Sequence, residues 1–290
     1  MLAGGVQACD ERIELAAQTD TEGCVEQRRH ERETRGDQAQ RCETTGETEE
    51  ALREQFGNGF QFLSIGPAGE NGVRYANLSH GSRHAGRGGL GTVLGAKNLK
   101  ALAVRGTPPI PLHDPAAVYA YAKELSKRSF GPATAKYREL GTVSNLLTFN
   151  RLNALPTRNF QQGTFEGAER ISGEALNASL RIARESCAAC TIGCEHIYQA
   201  ADGSGVRLEY ESLFALGPLC GIGNRETVIE AARLCDELGL DTISTGATIA
   251  FAMECVQRGL LDVSWLTFGS NVAVLRIIPM IAQREGIGDL

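Results

Sequence analysis

No stretch of about 18 uncharged apolar residues occurs anywhere in these 290 residues, which excludes a membrane-crossing helix. The opening MLAGGVQACDERIEL has neither a basic segment nor an apolar run, so no secretory leader is read there. No internal repeat of useful length is found. Positive charge is not in excess: the formal net charge is −6, which argues against nucleic acid as the main partner. The composition is 42% hydrophobic and 22% charged with mean hydropathy −0.18, which excludes a mostly disordered or collagenous chain. A cytoplasmic enzyme, or part of one, is the expectation. Length allows one to three domains.

Two residue types are abundant. Glycine is 34 of 290, above the usual ~7%. Cysteine is nine, an odd count that does not suit a disulfide framework in an unsecreted chain. Three of the nine fall within eight residues, which is metal-site spacing.

The chain divides by composition. Residues 1–45 carry ten acidic and six basic side chains and no aromatic residue, so they are expected to be disordered, weakly helical or non-native to the domain. From residue 46, GETEEALREQFG predicts a short helix closed by Gly57. FQFLSIG, GVRYANLS and LKALAVRG read as strands, making 46–106 a partial β-rich domain. Within it, Gly66–Gly106 holds ten glycines and six Lys/Arg against one acid, Glu70. The prolines of PPIPLHD mark a linker near 107–113. Residues 107–290 read as a helical domain, incomplete at its C-terminal end. Its helices are DPAAVYAYAKELSKRSF, weaker ones over 140–152 and 173–185, RETVIEAARLCDELGL, DTISTGATIAFAMECVQRG, and a last one interrupted at Pro279. The fold class expected is α+β: a glycine-rich β-containing part followed by a mainly α-helical array.

Four segments carry chemistry. In CAACTIGC, Cys187, Cys190 and Cys194 are thiolates spaced by two and three residues. On a tight loop they can converge on an iron–sulfur cluster or on zinc. A four-iron cluster needs a fourth ligand. Cys220, Cys235 and Cys255 lie in periodic apolar stretches where cysteine acts as a small hydrophobe, so none of them is expected to supply it. The run SRHAGRGGLG (82–91) joins glycines that let backbone N–H groups approach an anion to arginines that grip phosphate oxygens. It is neither a dinucleotide fingerprint nor a Walker loop, and a plain glycine-rich turn with exposed arginines also produces it. In CDELGLDT, one helix ends on Gly239 and the next starts at an Asp241 cap, which pattern alone reads as a helix–turn–helix. Finally, Glu209 and Glu211 flank Tyr210 at the edge of an apolar run, where acids gain raised pKa values or are merely exposed.

Together these segments resemble the aldehyde ferredoxin oxidoreductase family. The resemblance rests on SIGPAGENGVRYAN with AGRGGLGTVLGAKNLKALAVRG, on CAACTIGC, and on EYESLFALGPLCGIGN through LGLDTISTGATIAFAMECVQRGLL, in that order, from about Gly46 to the end. It implies a bis-pterin centre of tungsten (or molybdenum), a 4Fe–4S cluster, and Mg2+ at the pterin phosphates. Cys187, Cys190 and Cys194 would hold three irons of the cluster. Arg83, His84, Gly86 and Arg87 would line the pterin phosphates and the magnesium. Asp236, Leu240 and Asp241, in the family's DxxGLD motif, would bond one pterin, and Glu211 would donate or accept protons near the metal. His84 stands where a smaller residue is expected, which assigns its role to the backbone carbonyl.

The resemblance also implies an enzyme that oxidises small-molecule aldehydes to carboxylic acids, with ferredoxin or a similar electron carrier as acceptor. With the charge and the absent apolar run, no nucleic acid and no membrane are expected as partners, and the resemblance implies a full-length protein that can form a homodimer. Related chemistry on aromatic thioesters or other carbonyl compounds is an alternative, as is a non-catalytic module holding zinc. Family members are about twice this length. The chain is therefore expected to be a fragment, inactive alone, whose second pterin motif, fourth cluster cysteine and catalytic histidine lie elsewhere.

Overall fold

The computed structural model describes residues 43–81, 83–106 and 110–289. The expectation for 1–45 therefore falls almost wholly outside the described residues, as do positions 107–109 of the linker.

The first helix, α1 (Thr45–Phe56), starts with a reciprocal cap. Thr44 accepts from the Glu47 backbone N–H at 3.2 Å, and the Glu47 carboxylate accepts from the Thr44 N–H at 2.8 Å. Strands β1 (Gln61–Ser64), β2 (Leu78–His80), β3 (Arg83–Ala85) and β4 (Ala101–Val104) form an antiparallel sheet in the order β3-β2-β1-β4. Phe60, Phe62 and Ala103 bury one face of it against Leu52 and Phe56 of α1. Two short helices, α2 (Pro67–Glu70) and α3 (Leu90–Ala96), pack against each other beside the sheet.

The segment GVRYANL is not a strand. Only Leu78 onward pairs, and 72–77 form turns that end in a single bridge, Ala76 to Leu240. Its β-branched and aromatic content suits a strand. Its backbone is spent instead on Gly239 and Asp241 of a distant segment.

The second part contains α4 (Pro115–Ser129), capped by Asp114, then α5 (Ala135–Leu140), α6 (Asn145–Arg151) and α7 (Gly173–Ser179). α8 (Tyr210–Leu216), α9 (Arg225–Leu238), α10 (Thr242–Gln257) and α11 (Asn271–Gln283) follow. α8 to α11 contribute much of the main core, including Leu213, Leu216, Val228, Ile249, Met253 and Ile278. α9 shows why: Asn224 caps its start, Gly239 ends it in the left-handed region, and its apolar positions recur on one buried face.

Two helix expectations change here. The helix expected over 173–185 stops at Ser179, and Arg181–Glu185 becomes strand β5. β5 pairs with β6 (Glu195–Gln199), which pairs with β7 (Gly205–Arg207), so the helical array carries a three-stranded meander. Pairing across the cysteine loop overrides a weak helical pattern there. α11 also runs through Pro279. Proline removes one ladder bond at a cost of about 3 kcal/mol, and the burial of Ile277, Ile278, Ile281 and Ala282 around it offsets that loss.

Candidate cofactor and cluster site

The glycine-rich run divides into two kinds of glycine. A Cβ at Gly91 would lie 2.3 Å from the Asn77 carbonyl oxygen, and one at Gly95 would lie 1.9 Å from that of Gly69. Those positions exist so that α3 can touch the chain beneath it. Gly86 and Gly88 are different: a Cβ on either meets nothing within 4 Å. They front open space beside Arg87, whose side chain is 67% exposed and whose Nε stands 3.4 Å from Asp241 Oδ2.

The CDELGLDT segment is held against this run by main chain. Asn77 N–H donates to Gly239 O at 2.8 Å and Asp241 N–H to Tyr75 O at 3.1 Å. Asn77 Nδ2 donates to Leu240 O at 3.0 Å. Leu240 is fully buried. Asp241, 5% exposed, accepts from the Ile243 and Ser244 N–H groups and so caps α10. The helix–turn–helix reading is therefore present, and the turn faces the glycine loop.

His84, on β3, meets Asp236, in the last turn of α9, at 3.6 Å between Nε2 and Oδ1. They do not form an ion pair at neutral pH. Burial, helped by the Arg207 charge, lowers the imidazole to about 4. Burial raises the Asp236 carboxyl to about 7, with Arg207 opposing and Glu237 reinforcing. Among the described residues, neither ring nitrogen of His84 has a hydrogen-bond partner, nor do the buried Asn77 Oδ1 and Ser79 Oγ. Ser79 is His84's cross-strand neighbour. Native interiors rarely leave such atoms unpaired, and this set suits a polar group with several donors and acceptors.

The three cysteines occupy the β5–β6 loop, which Ala189 and Gly193 turn through the left-handed region. Cys187 is exposed, and Cys190 and Cys194 are partly buried. Cys190 N–H donates to Cys187 O at 3.0 Å. Burial raises the Cys194 thiol, and the charges of Glu209, Cys187 and Cys190 add to that. Arg83 joins this loop to the glycine-rich one: its Nη1 donates to Cys187 Sγ at 3.3 Å, and its Nη2 pairs with Glu195. Glu195 is 1% exposed and also faces Arg207 at 3.5 Å. Among the described residues, no three His, Cys, Asp or Glu side chains converge as a single-ion site. Cys220 and Cys235 are fully buried with thiols raised by desolvation, Cys220 to about 12, and Cys255 is partly buried.

Of the two acids around Tyr210, Glu211 lies exposed in the first turn of α8. Glu209 is the enclosed one: Thr142 Oγ1 donates to it, and burial raises its carboxyl despite that bond and the Arg207 charge. The sequence singled out both acids of EYE, and the proton-transfer role implied by the resemblance went to Glu211 rather than Glu209. It gave no signal for Arg207, Asn77 or Ser79. Glu195 directly follows Cys194, and that adjacency was the available signal.

A family model described as aldehyde ferredoxin oxidoreductase, domains 2 and 3, matches residues 87–290, and one for the N-terminal domain matches residues 25–106. The tungsten-containing aldehyde ferredoxin oxidoreductase of Pyrococcus abyssi is 42% identical over 257 residues, covering 84% of this chain and 42% of that protein. The aliphatic sulfonate oxidoreductase, WOR-like subunit, of Pyrococcus furiosus is 32% identical over 240 residues, covering 79% of this chain and 38% of that one. Among solved structures, the BamBC active-site complex of benzoyl coenzyme A reductase with 1,5-dienoyl-CoA aligns with a TM-score of 0.68. At 24% identity, over 86% of this chain and 41% of that one, that likeness is one of fold. The chain spans less than half the length of the curated relatives it matches.

Proposed function

The chain belongs to the aldehyde ferredoxin oxidoreductase family, and from that premise we propose that it is part of a tungsten- (or molybdenum-) pterin, iron–sulfur oxidoreductase. Its reaction is the oxidation of an aldehyde and water to a carboxylic acid, releasing two protons and two electrons, with ferredoxin as acceptor. One observation carries the reading. Segments far apart in sequence meet at three contacts, Arg83–Cys187, Arg87–Asp241 and His84–Asp236, and orphaned polar atoms lie among them.

The residues fit the groups assigned to them. Gly86 leaves room for phosphate oxygens and their Mg2+, and Arg83 and Arg87 supply guanidinium groups to bind them. Asp236, Leu240 and Asp241 offer hydrogen bonds to a pterin. His84 brings a neutral imidazole as well as its carbonyl. Cys187, Cys190 and Cys194 offer three thiolates for a 4Fe–4S cluster. When bound, the metal–pterin centre supplies two-electron oxidation and the cluster supplies single-electron relay. The protein handles protons. Glu211, at the start of α8, would donate or accept protons near the metal, and burial raises the neighbouring Glu209 carboxyl at the enclosed end.

Anaerobic reconstitution of the chain with iron and sulfide tests the cysteine assignment. Iron binding, with an EPR signal lost in Cys190→Ser, is expected. With three ligands in this loop, an oxygen-labile or three-iron species is the anticipated product. Stoichiometric zinc, or a cluster indifferent to Cys190→Ser, refutes it.

A further inference from the structure

The protein as a whole is acidic, at −6, yet the surface around the cysteine loop is basic. Three elements frame that loop: the last turn of α4, α5, and β5. They carry Lys127, Arg128, Lys136, Arg138, Arg181 and Arg184, against the carboxylates of Glu139 and Glu185. Hydrogen bonds make these elements one face. Ser129 Oγ lies 2.6 Å from Thr191 Oγ1, inside the loop. Arg181 Nη1 donates to Glu139 O at 3.0 Å and Arg184 Nη1 to Arg138 O at 3.2 Å, which bind β5 to α5. Arg184 also lies along the loop, its Nε 3.2 Å from where a Gly193 Cβ would be.

The face has the composition of a transient docking site. Residues 181–189 are all exposed, Cys187 among them. Phe130 at 64% and Ile182 at 52% exposure place apolar surface between the cations. Among the described residues, neither Arg181 nor Arg184 pairs with a carboxylate within 4 Å, so their charge is available to a partner. Basic residues on an edge strand also discourage strand pairing. That accounts for β5; on α4 and α5, Arg128 pairs with Glu124 at 3.7 Å, Lys136 bonds Asn145 and Arg138 ties down the Ser129 and Gly131 carbonyls, so beyond β5 the uncommitted charge of the face rests on Lys127.

We infer that this face docks an acidic one-electron carrier protein over the cysteine loop. The inference rests on the cluster assignment proposed above for its purpose, though the docking itself is a property of the surface. Opposite charge speeds encounter and orients a partner without a large interface, as suits a short-lived redox complex. It also makes binding salt-sensitive, because exposed charges are screened beyond about 10 Å at ~0.1 M ionic strength.

The test is titration of the full chain with an acidic 4Fe–4S ferredoxin at low and high ionic strength, followed by calorimetry. Binding that weakens with salt is expected, with a loss of about tenfold or more in the double variant Arg181→Glu, Arg184→Glu. Arg181→Lys with Arg184→Lys should retain most of it, and Arg258→Glu, just past the end of α10, all of it. If the β5 reversal does not fold, Lys127→Glu with Arg128→Glu on α4 puts the same question, since α4 buries no residue. The inference is overturned by equal affinity after charge reversal, by no ferredoxin binding to the wild type at low salt, or by a DNA duplex binding as tightly. Iron content is measured on the same samples. Binding without iron counts against the cluster assignment alone, and iron without binding counts against the docking face alone.

Discussion

The two halves of the site are held by different means. Around the glycine-rich loop, backbone meets backbone. Gly91 sits against Asn77 and Gly95 against Gly69, and Asn77 and Tyr75 bond the main chain of Gly239 and Asp241. Around the cysteines, a loop with an exposed outer strand is tied down by side chains, chiefly Arg83, Glu195 and Ser129. Backbone packing tolerates no added atom but is indifferent to charge. Side-chain tethers tolerate shape changes but fail when a charge is removed. The same site should therefore break in two distinct ways.

The largest effect is expected at Gly91. Gly91→Ala forces a methyl into a carbonyl 2.3 Å away and should cost about 3 kcal/mol or prevent folding. Gly86→Ala, with nothing within 4 Å, should change chemical-denaturation stability by no more than about 0.5 kcal/mol. Equal losses in the two variants would erase the distinction between packing and cradle glycines.

On the cysteine side, Glu195→Ala leaves Arg83 and Arg207 facing each other without their shared carboxylate. A cost of about 2–3 kcal/mol is expected, below that of a fully enclosed pair because Arg83 keeps 35% of its side-chain surface in water. Urea unfolding of the variant beside Gly91→Ala measures it. A neutral result would mean that the arginines carry the tether without Glu195.

His84 and Asp236 sharpen the comparison through pH. Unfolded, Asp titrates near 3.9 and His near 6.5; folded, the order is reversed, at about 7 and about 4. Between these limits each state binds one proton, on His when unfolded and on Asp when folded, so the pair adds almost no slope to stability. Asp236→Asn leaves the depressed imidazole alone, and stability should fall as pH drops from 6.5 towards 4. His84→Gln leaves the raised carboxyl, and stability should fall as pH rises from about 4 towards 7. Each slope has a ceiling of about 1.4 kcal/mol per pH unit. Denaturation midpoints across pH 4–7 test this, and slopes of the same sign in both variants would contradict the reversal.

The smallest effect is expected from removing residues 1–24, which precede the match to the family's N-terminal domain; the thermal midpoint should not move within error. A cut that reaches α1 should behave differently. Thr44 closes the α1 cap, and buried Thr45 donates to Asp236 O at 2.9 Å, so deletion through 45 should lower the midpoint.

Where local pattern and burial agree, the sequence was legible: α9 and α10 lie almost where their caps and periodicity put them, and α4, which buries nothing, lies where its Asp114 cap and N1 proline put it. The cysteine loop and the glycine run announced themselves by spacing. What did not show was anything decided by a distant partner. β5 exists because Ala183 and Arg184 pair with Ile197 and His196. Residues 72–77 turn because Gly239 and Asp241 bond their backbone. Glu195 looks like any surface acid until Arg83 arrives from 112 positions upstream. Single-residue chemistry is local text, whereas electrostatic partnership is written only in the tertiary fold.

α4 carries one more consequence. Its fifteen residues bury no side chain, so its stability is that of an isolated helix with a good cap. Its amides should exchange with deuterated solvent far sooner than those of α9 or α10, opening as a unit while the rest stays closed. Each opening releases Ser129 from Thr191, and the edge of the cysteine loop loses a neighbour for the lifetime of that event. The wall of the basic face is thus its fastest-breathing part, and a visitor landing there meets a surface still able to adjust.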